Sequence, residues 1–153
     1  MTGLEILKYC SFGYSLVLAI IIYGLSVEII TPRIFKICFV AAIISGGFGI
    51  IMELTDLYGL DKGLTLVIML IPLIVLSNLE LFRLIFKKWK GTEPAHVFGG
   101  VNKIGDKVSD GRWTKYPVGR VVMMSDFFFS NLSAIVPFLE IVGLLILTII
   151  INK

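Results

Sequence analysis

Histidine and cysteine are nearly missing from this chain. One His and two Cys in 153 residues leave no ligand set of the kind zinc requires. They also leave no cysteine–histidine pair for nucleophilic chemistry. The single histidine, His96, lies on a polar segment three residues after Glu93 and reads as a solvated or hydrogen-bonded loop residue. Cys10 and Cys38 do not make a disulfide framework; they fall near opposite ends of the spans assigned below and read as small apolar packing residues. No Gly-x-Gly-x-x-Gly and no Gly-Lys-Ser/Thr occurs, so a phosphate-cradling nucleotide loop is unsupported. These absences predict no catalytic residue, no metal, no cofactor and no enzymatic activity. Charge is scarce as well, at 16% of residues.

What is abundant is hydrocarbon. Hydrophobic residues make up 57% of the chain, above the roughly 45–50% of a soluble domain, and they lie in long runs. Four runs are long enough to cross a bilayer, which takes about 20 residues each as helix: 10–30, 34–54, 64–86 and 132–151. The expected fold is an all-α membrane protein, residues 1–153 forming a single polytopic domain of four transmembrane helices. The first run is longer than the apolar core of a signal peptide, with no A-x-A site after it, and is read as a retained span. Gly3 is out of register for myristoylation, and the C-terminal Ile-Asn-Lys is not a prenylation box.

The connections differ in chemistry. Thr31-Pro32-Arg33 makes the first a tight turn, because proline cannot cheaply continue a helix. The second, Glu53 to Lys62, is short and acidic. The third is long and holds most of the basic residues: Lys87 to Arg120 has eight Lys or Arg against three Asp or Glu, a net +5 in a chain of +3. Within it, Lys107 to Tyr116 reads as a β-hairpin. Asp110-Gly111 suits the two positive-φ positions of a tight turn, flanked by Val108, Trp113, Thr114 and Tyr116. Gly99-Gly100 precedes it as a further turn. The insertion thus covers 87–131. Its last part, 121–131, is read either as a helix lying on the membrane surface or as the start of the fourth span.

Short loops rich in Lys and Arg stay in the cytoplasm. The first and third connections are basic and share a side; the second is acidic and lies opposite. The expected arrangement is therefore a multi-pass protein of the cell inner membrane with both termini outside and the 87–131 segment cytoplasmic.

Ionisable residues inside spans are expensive and mark functional or packing sites. Glu28, Asn78, Glu80, Arg83 and Glu140 are read as an intramembrane polar cluster, with Glu140 meeting Arg83 or Asn78 between antiparallel helices. Span two carries two interleaved small-residue series, Ala41/Ser45/Gly49 and Ala42/Gly46. Residues four apart share a helix face, and small residues let a second backbone approach closely in lipid. These five positions are read as a helix-packing face, within or between subunits. In the insertion, Lys103, Lys107, Asp110, Arg112, Trp113, Lys115 and Tyr116 combine turn formers, aromatics and mixed charge, as a partner-docking surface would.

The net basic charge is accounted for by topology and by attraction to anionic headgroups, so direct nucleic-acid binding is not required. Four spans are too few for two inverted transporter repeats; a pore would need oligomerisation, with Glu140 in the conduction or gating layer. The preferred expectation is a non-enzymatic scaffold or sensor subunit. It would sit in the lipid bilayer, self-associate as a homo-oligomer and dock a soluble cytoplasmic protein.

The four runs with the basic insertion Lys87–Arg120 resemble, in layout, small bacterial four-span proteins that act with a cytosolic partner, such as the membrane subunit of the Kiwa anti-phage defence system. The resemblance implies a homo-oligomer that senses membrane disturbance by phage and works with a DNA-binding cytosolic partner. No site residue is carried over from it.

Overall fold

A computed structural model describes residues 2–60, 62–95, 103–110, 112 and 115–153. Four long helices dominate: α1 (Gly3–Gly24), α2 (Pro32–Leu54), α3 (Leu64–Lys90) and α4 (Met124–Ile151). All four are long and apolar enough to cross a membrane. They run alternately up and down, so the start of α2 and the ends of α1 and α3 share one end with the start of α4.

The boundaries differ from the apolar runs for identifiable reasons. α1 begins at Gly3 rather than near Cys10 because Thr2 and Glu5 cap it reciprocally. The Glu5 carboxylate accepts from the Thr2 N–H at 2.7 Å, and the Thr2 hydroxyl accepts from the Glu5 N–H at 3.3 Å. This satisfies two N–H groups that a helix start leaves open. The chain breaks after Gly24 and re-forms as a 3-10 turn at Glu28–Ile30. Pro32 occupies the first turn of α2, where a missing N–H costs nothing. α3 continues one turn past its apolar run through Lys87, Lys88 and Lys90, whose charges suit the negative end of the helix dipole. Gly91, at φ 71°, then ends it in the left-handed conformation that glycine adopts freely.

Most of 121–131 is continuous with the fourth span as one helix. α4 starts at Met124 and runs unbroken to Ile151; among the described residues no separate helix lies between α3 and α4. The expected β-hairpin is not formed. Among the described residues there is no strand, only an isolated antiparallel bridge between Lys107 and Val121. Asp110 turns its side chain inward along the chain, its Oδ1 accepting from the Tyr116 N–H at 3.0 Å. Val108 pairs instead with Arg120, at 2.9 Å, and Pro117 has no N–H to offer a ladder. Gly111, Trp113 and Thr114 lie outside the described residues.

α3 is the hub. It packs against α1, α2 and α4, while α4 touches little besides α3. Ile22, Ala42, Leu76 and Leu79 are buried at its centre. Pro72 sits inside α3 and removes the hydrogen bond that the Ile68 carbonyl would otherwise accept. The freed carbonyl is taken by α1, whose Ser15 hydroxyl donates to Ile68 O at 2.6 Å. From the other side, the Ser45 hydroxyl of α2 donates to Met69 O at 2.8 Å. The Ser15 hydroxyl thus repairs a proline break that lipid could not.

The small-residue face of α2 serves this same contact. Ala42, Ser45, Gly46 and Gly49 are buried, with Ala41 half-buried beside them. A Cβ on Gly49 would stand 2.5 Å from Met69 Cβ, and one on Gly46 would stand 3.0 Å from a Leu70 methyl. The face is spent within the subunit, on close approach to α3.

Candidate functional site

At the basic end, the segment between α3 and α4 folds back onto the bundle as a cap. Its anchor is Asp126 in the first turn of α4, fully buried at 0% exposure. Its carboxylate accepts from the Ala95 N–H at 2.8 Å and the Met123 N–H at 2.7 Å, and from the Arg120 guanidinium at 2.7 and 2.9 Å. One side chain therefore ties together the strand-like exit from α3, the end of the cap and the start of α4. A buried charge persists only when paired and hydrogen-bonded in this way. Pro94, Ala95 and Val122 are buried around it, and Phe86 of α3 meets Phe129 of α4 edge-on, with ring centroids 5.7 Å apart.

Further bonds hold the rest of the cap. Gly105 donates its N–H to Val122 O, and Val122 donates to Asp106 O, both at 2.9 Å. The Tyr116 hydroxyl donates to Pro94 O at 3.0 Å. Burial pushes the Tyr116 phenol above its usual pKa, and the charge of Asp126 pushes in the same direction. The Arg112 backbone N–H donates to the Glu28 carboxylate, which joins the cap to the connection between α1 and α2. Arg83 forms ion pairs with Glu80 at 2.7 Å and Glu93 at 3.0 Å, and Lys87 reaches Glu93 at 2.7 Å.

The expected polar cluster is therefore divided among three places. Asn78 and Glu140 do meet, the amide donating to the carboxylate at 2.6 Å. Arg83 pairs with Glu80 and Glu93, not with Glu140. Glu28 serves the cap. The expected docking residues share the cap but play different parts. Lys103, Lys107, Asp110, Arg112 and Lys115 are exposed, with Lys115 Nζ 3.6 Å from Asp110. Tyr116 is half-buried and structural. Trp113, His96 and Gly99-Gly100 lie outside the described residues. Among the described residues, no group of His, Cys, Asp or Glu is arranged to hold a metal.

Sequence reasoning missed Arg120 and Asp126 as a pair, and missed Ser15. The signal for Asp126 was a lone carboxylate just ahead of three phenylalanines, where an unpaired charge would be untenable. For Ser15 it was a hydroxyl mid-span in a chain with a proline in another span.

The outward surface of the cap is mixed. Lys103, Lys107 and Lys115 stand beside exposed Ile104, Val118 and Val121, and Val118 at the 117–120 turn is wholly exposed. Backbone hydrogen bonds and the Arg120–Asp126 pair hold this surface from below. The chain matches no family model, no curated protein and no solved structure.

Proposed function

We propose that this protein is a non-enzymatic membrane subunit whose cap docks a soluble cytoplasmic protein. The observation that carries the reading is the buried Arg120–Asp126 pair. It ties a basic, partly apolar loop to two membrane helices at once. A loop serving only to join two spans needs no such internal anchor, whereas a docking surface gains affinity from being pre-organised. Interface centres favour apolar groups ringed by polar ones, and Ile104, Val118 and Val121 among three lysines follow that pattern. The concentration of basic residues at this end supports a cytoplasmic location. A place in anti-phage defence follows from the resemblance in layout and not from the cap's geometry.

The test uses the full-length tagged protein purified from native membranes. A stoichiometric soluble protein should co-purify, and the triple substitution Lys103→Glu, Lys107→Glu and Lys115→Glu should abolish its recovery. These side chains are exposed, so the fold should survive, as circular dichroism would show. Unchanged recovery from the triple variant would remove the cap from the interaction.

A further inference from the structure

Glu140 is the one acidic residue in the interior of α4. It lies 16 residues from Met124 and 11 from Ile151, roughly 24 and 16 Å along the helix axis at 1.5 Å per residue. It is therefore deep in the membrane. It is also exposed on the bundle surface, as is Ser77 of α3. The two border a groove of about 380 Å³ between α3 and α4, whose remaining lining is Asn78 and the apolar Leu70, Leu73, Ile74 and Leu81. One Glu140 oxygen takes the Asn78 amide. Among the described residues, the other oxygen and the Ser77 hydroxyl have no hydrogen-bond partner. Lipid chains can supply none, and unsatisfied polar groups at this depth are costly.

We infer that this groove is covered by a second copy of the chain. The groove offers an acceptor, Glu140, and a donor, Ser77, at the same depth, since Ser77 adjoins the Asn78 that Glu140 already holds. A two-fold axis along the membrane normal brings the donor of each copy to the acceptor of the other, as an isologous contact requires. The site is then incomplete in one copy and complete in two: Glu140 accepts from its own Asn78 and from Ser77 of the second copy. The neighbouring surface permits the approach. Gly143 lies on the same side of α4 one turn further along, exposed, with nothing within 4 Å of where its Cβ would be. A bare glycine lets another helix come close, which is how helices gain contact energy in lipid. The α2 small-residue face cannot serve this purpose, being filled by α3. This contact is independent of the cap, so its failure would leave the docking reading untouched.

The experiment is disulfide trapping in native membranes together with mass measurement of detergent-solubilised protein. In a Cys10→Ser, Cys38→Ala background, Gly143→Cys should form an oxidant-dependent dimer, and Ile20→Cys, exposed on α1, should not. By light scattering the native protein should be dimeric or a multiple of two. Glu140→Leu should be monomeric at the same concentration, and Ser77→Ala should weaken dimerisation about tenfold, the scale of one interhelical hydrogen bond. Among the described residues Ser77 makes no side-chain hydrogen bond within its own subunit, so its replacement tests the contact even if Glu140→Leu disturbs folding. A monomeric native protein would overturn the inference. So would trapping at Ile20→Cys but not Gly143→Cys, or dimerisation unaltered in Ser77→Ala. Covering of the groove by lipid or by a different membrane chain would appear as the first of these results.

Discussion

Replacing Asp126 by Asn should loosen the cap while leaving the four helices in place. The substitution keeps the side chain's shape and changes its chemistry at three contacts. The carboxylate accepts two backbone N–H groups and both branches of its pairing with Arg120. An amide has one accepting oxygen, so its NH₂ must face a donor somewhere in that set. Arg120, whose side chain is 7% exposed, would lose its counter-charge. Its Nε already has no partner among the described residues, leaving little to compensate. Breaking a buried pair from one side costs about 3–5 kcal/mol. The loss should fall on the cap, because the helices are held separately through α3. In detergent, hydrogen exchange across 103–123 should therefore accelerate by two orders of magnitude or more, at about 1.4 kcal/mol per tenfold. Exchange in the α1–α3 contact should stay close to native. The double variant Arg120→Leu with Asp126→Asn should be less damaged than the two single losses added together, since it leaves no orphan charge. Native-like cap protection in Asp126→Asn would refute the anchoring argument. Loss of protection spread evenly over all four helices would refute its localisation.

Other substitutions probe the bundle itself. Gly49→Ala should destabilise by about 1–3 kcal/mol in a detergent melt, the usual cost of overpacking, because its Cβ would overlap Met69. Gly47→Ala, with open space at its Cβ, should stay within about 0.5 kcal/mol. Ser15→Ala should cost about 1 kcal/mol by stranding the Ile68 carbonyl, and this cost should disappear in a Pro72→Ala background, where the helix can recover its own bond. In alkali, the raised Tyr116 phenol works against the fold. The group stays neutral in the folded cap while an unfolded tyrosine ionises near pH 10. Its contribution is complete below that value and is lost as pH rises toward the higher folded one. The cap should therefore loosen above about pH 10, and Tyr116→Phe should lessen that pH dependence in hydrogen exchange.

The number and rough position of the helices were legible because bilayer thickness imposes a length on apolar runs, and the chain has four of them. The Asn78–Glu140 contact was legible too, since two polar side chains at similar depth on antiparallel helices have few other choices. The cap was not. Asp110-Gly111 carries the local chemistry of a tight hairpin, but local turn preference is worth little against a buried ion pair that pulls Arg120 toward α4. Val108 donates instead to the carbonyl of Arg120, whose side chain is held by Asp126 six residues further on. Arg83 was only partly legible, for a related reason: its pairing with Glu80, three residues away, was readable and is present. Its nearest carboxylate in sequence was visible, but Glu93 reaches it only because Gly91 turns the chain back at the end of α3.

The polar side chains of the bundle interior divide by what they satisfy. Ser15 and Ser45 are committed to α3: Ser15 closes the gap that Pro72 opens at Ile68, and Ser45 donates to the Met69 carbonyl. Asn78 is likewise committed: it donates to Ile74 O at 3.0 Å and to Glu140 at 2.6 Å. These residues are packing devices, and the proline explains Ser15. Glu140 is different. No broken helix bond requires it, and Asn78 is occupied with only one of its oxygens. A glutamine there could hold the same amide without a charge. A carboxylate beside the Ser77 hydroxyl and an open glycine is what the proposed contact with a second copy would use. In this bundle, then, Ser15, Ser45 and Asn78 are buried in bonds within the subunit, whereas Ser77 and Glu140 are exposed on α3 and α4.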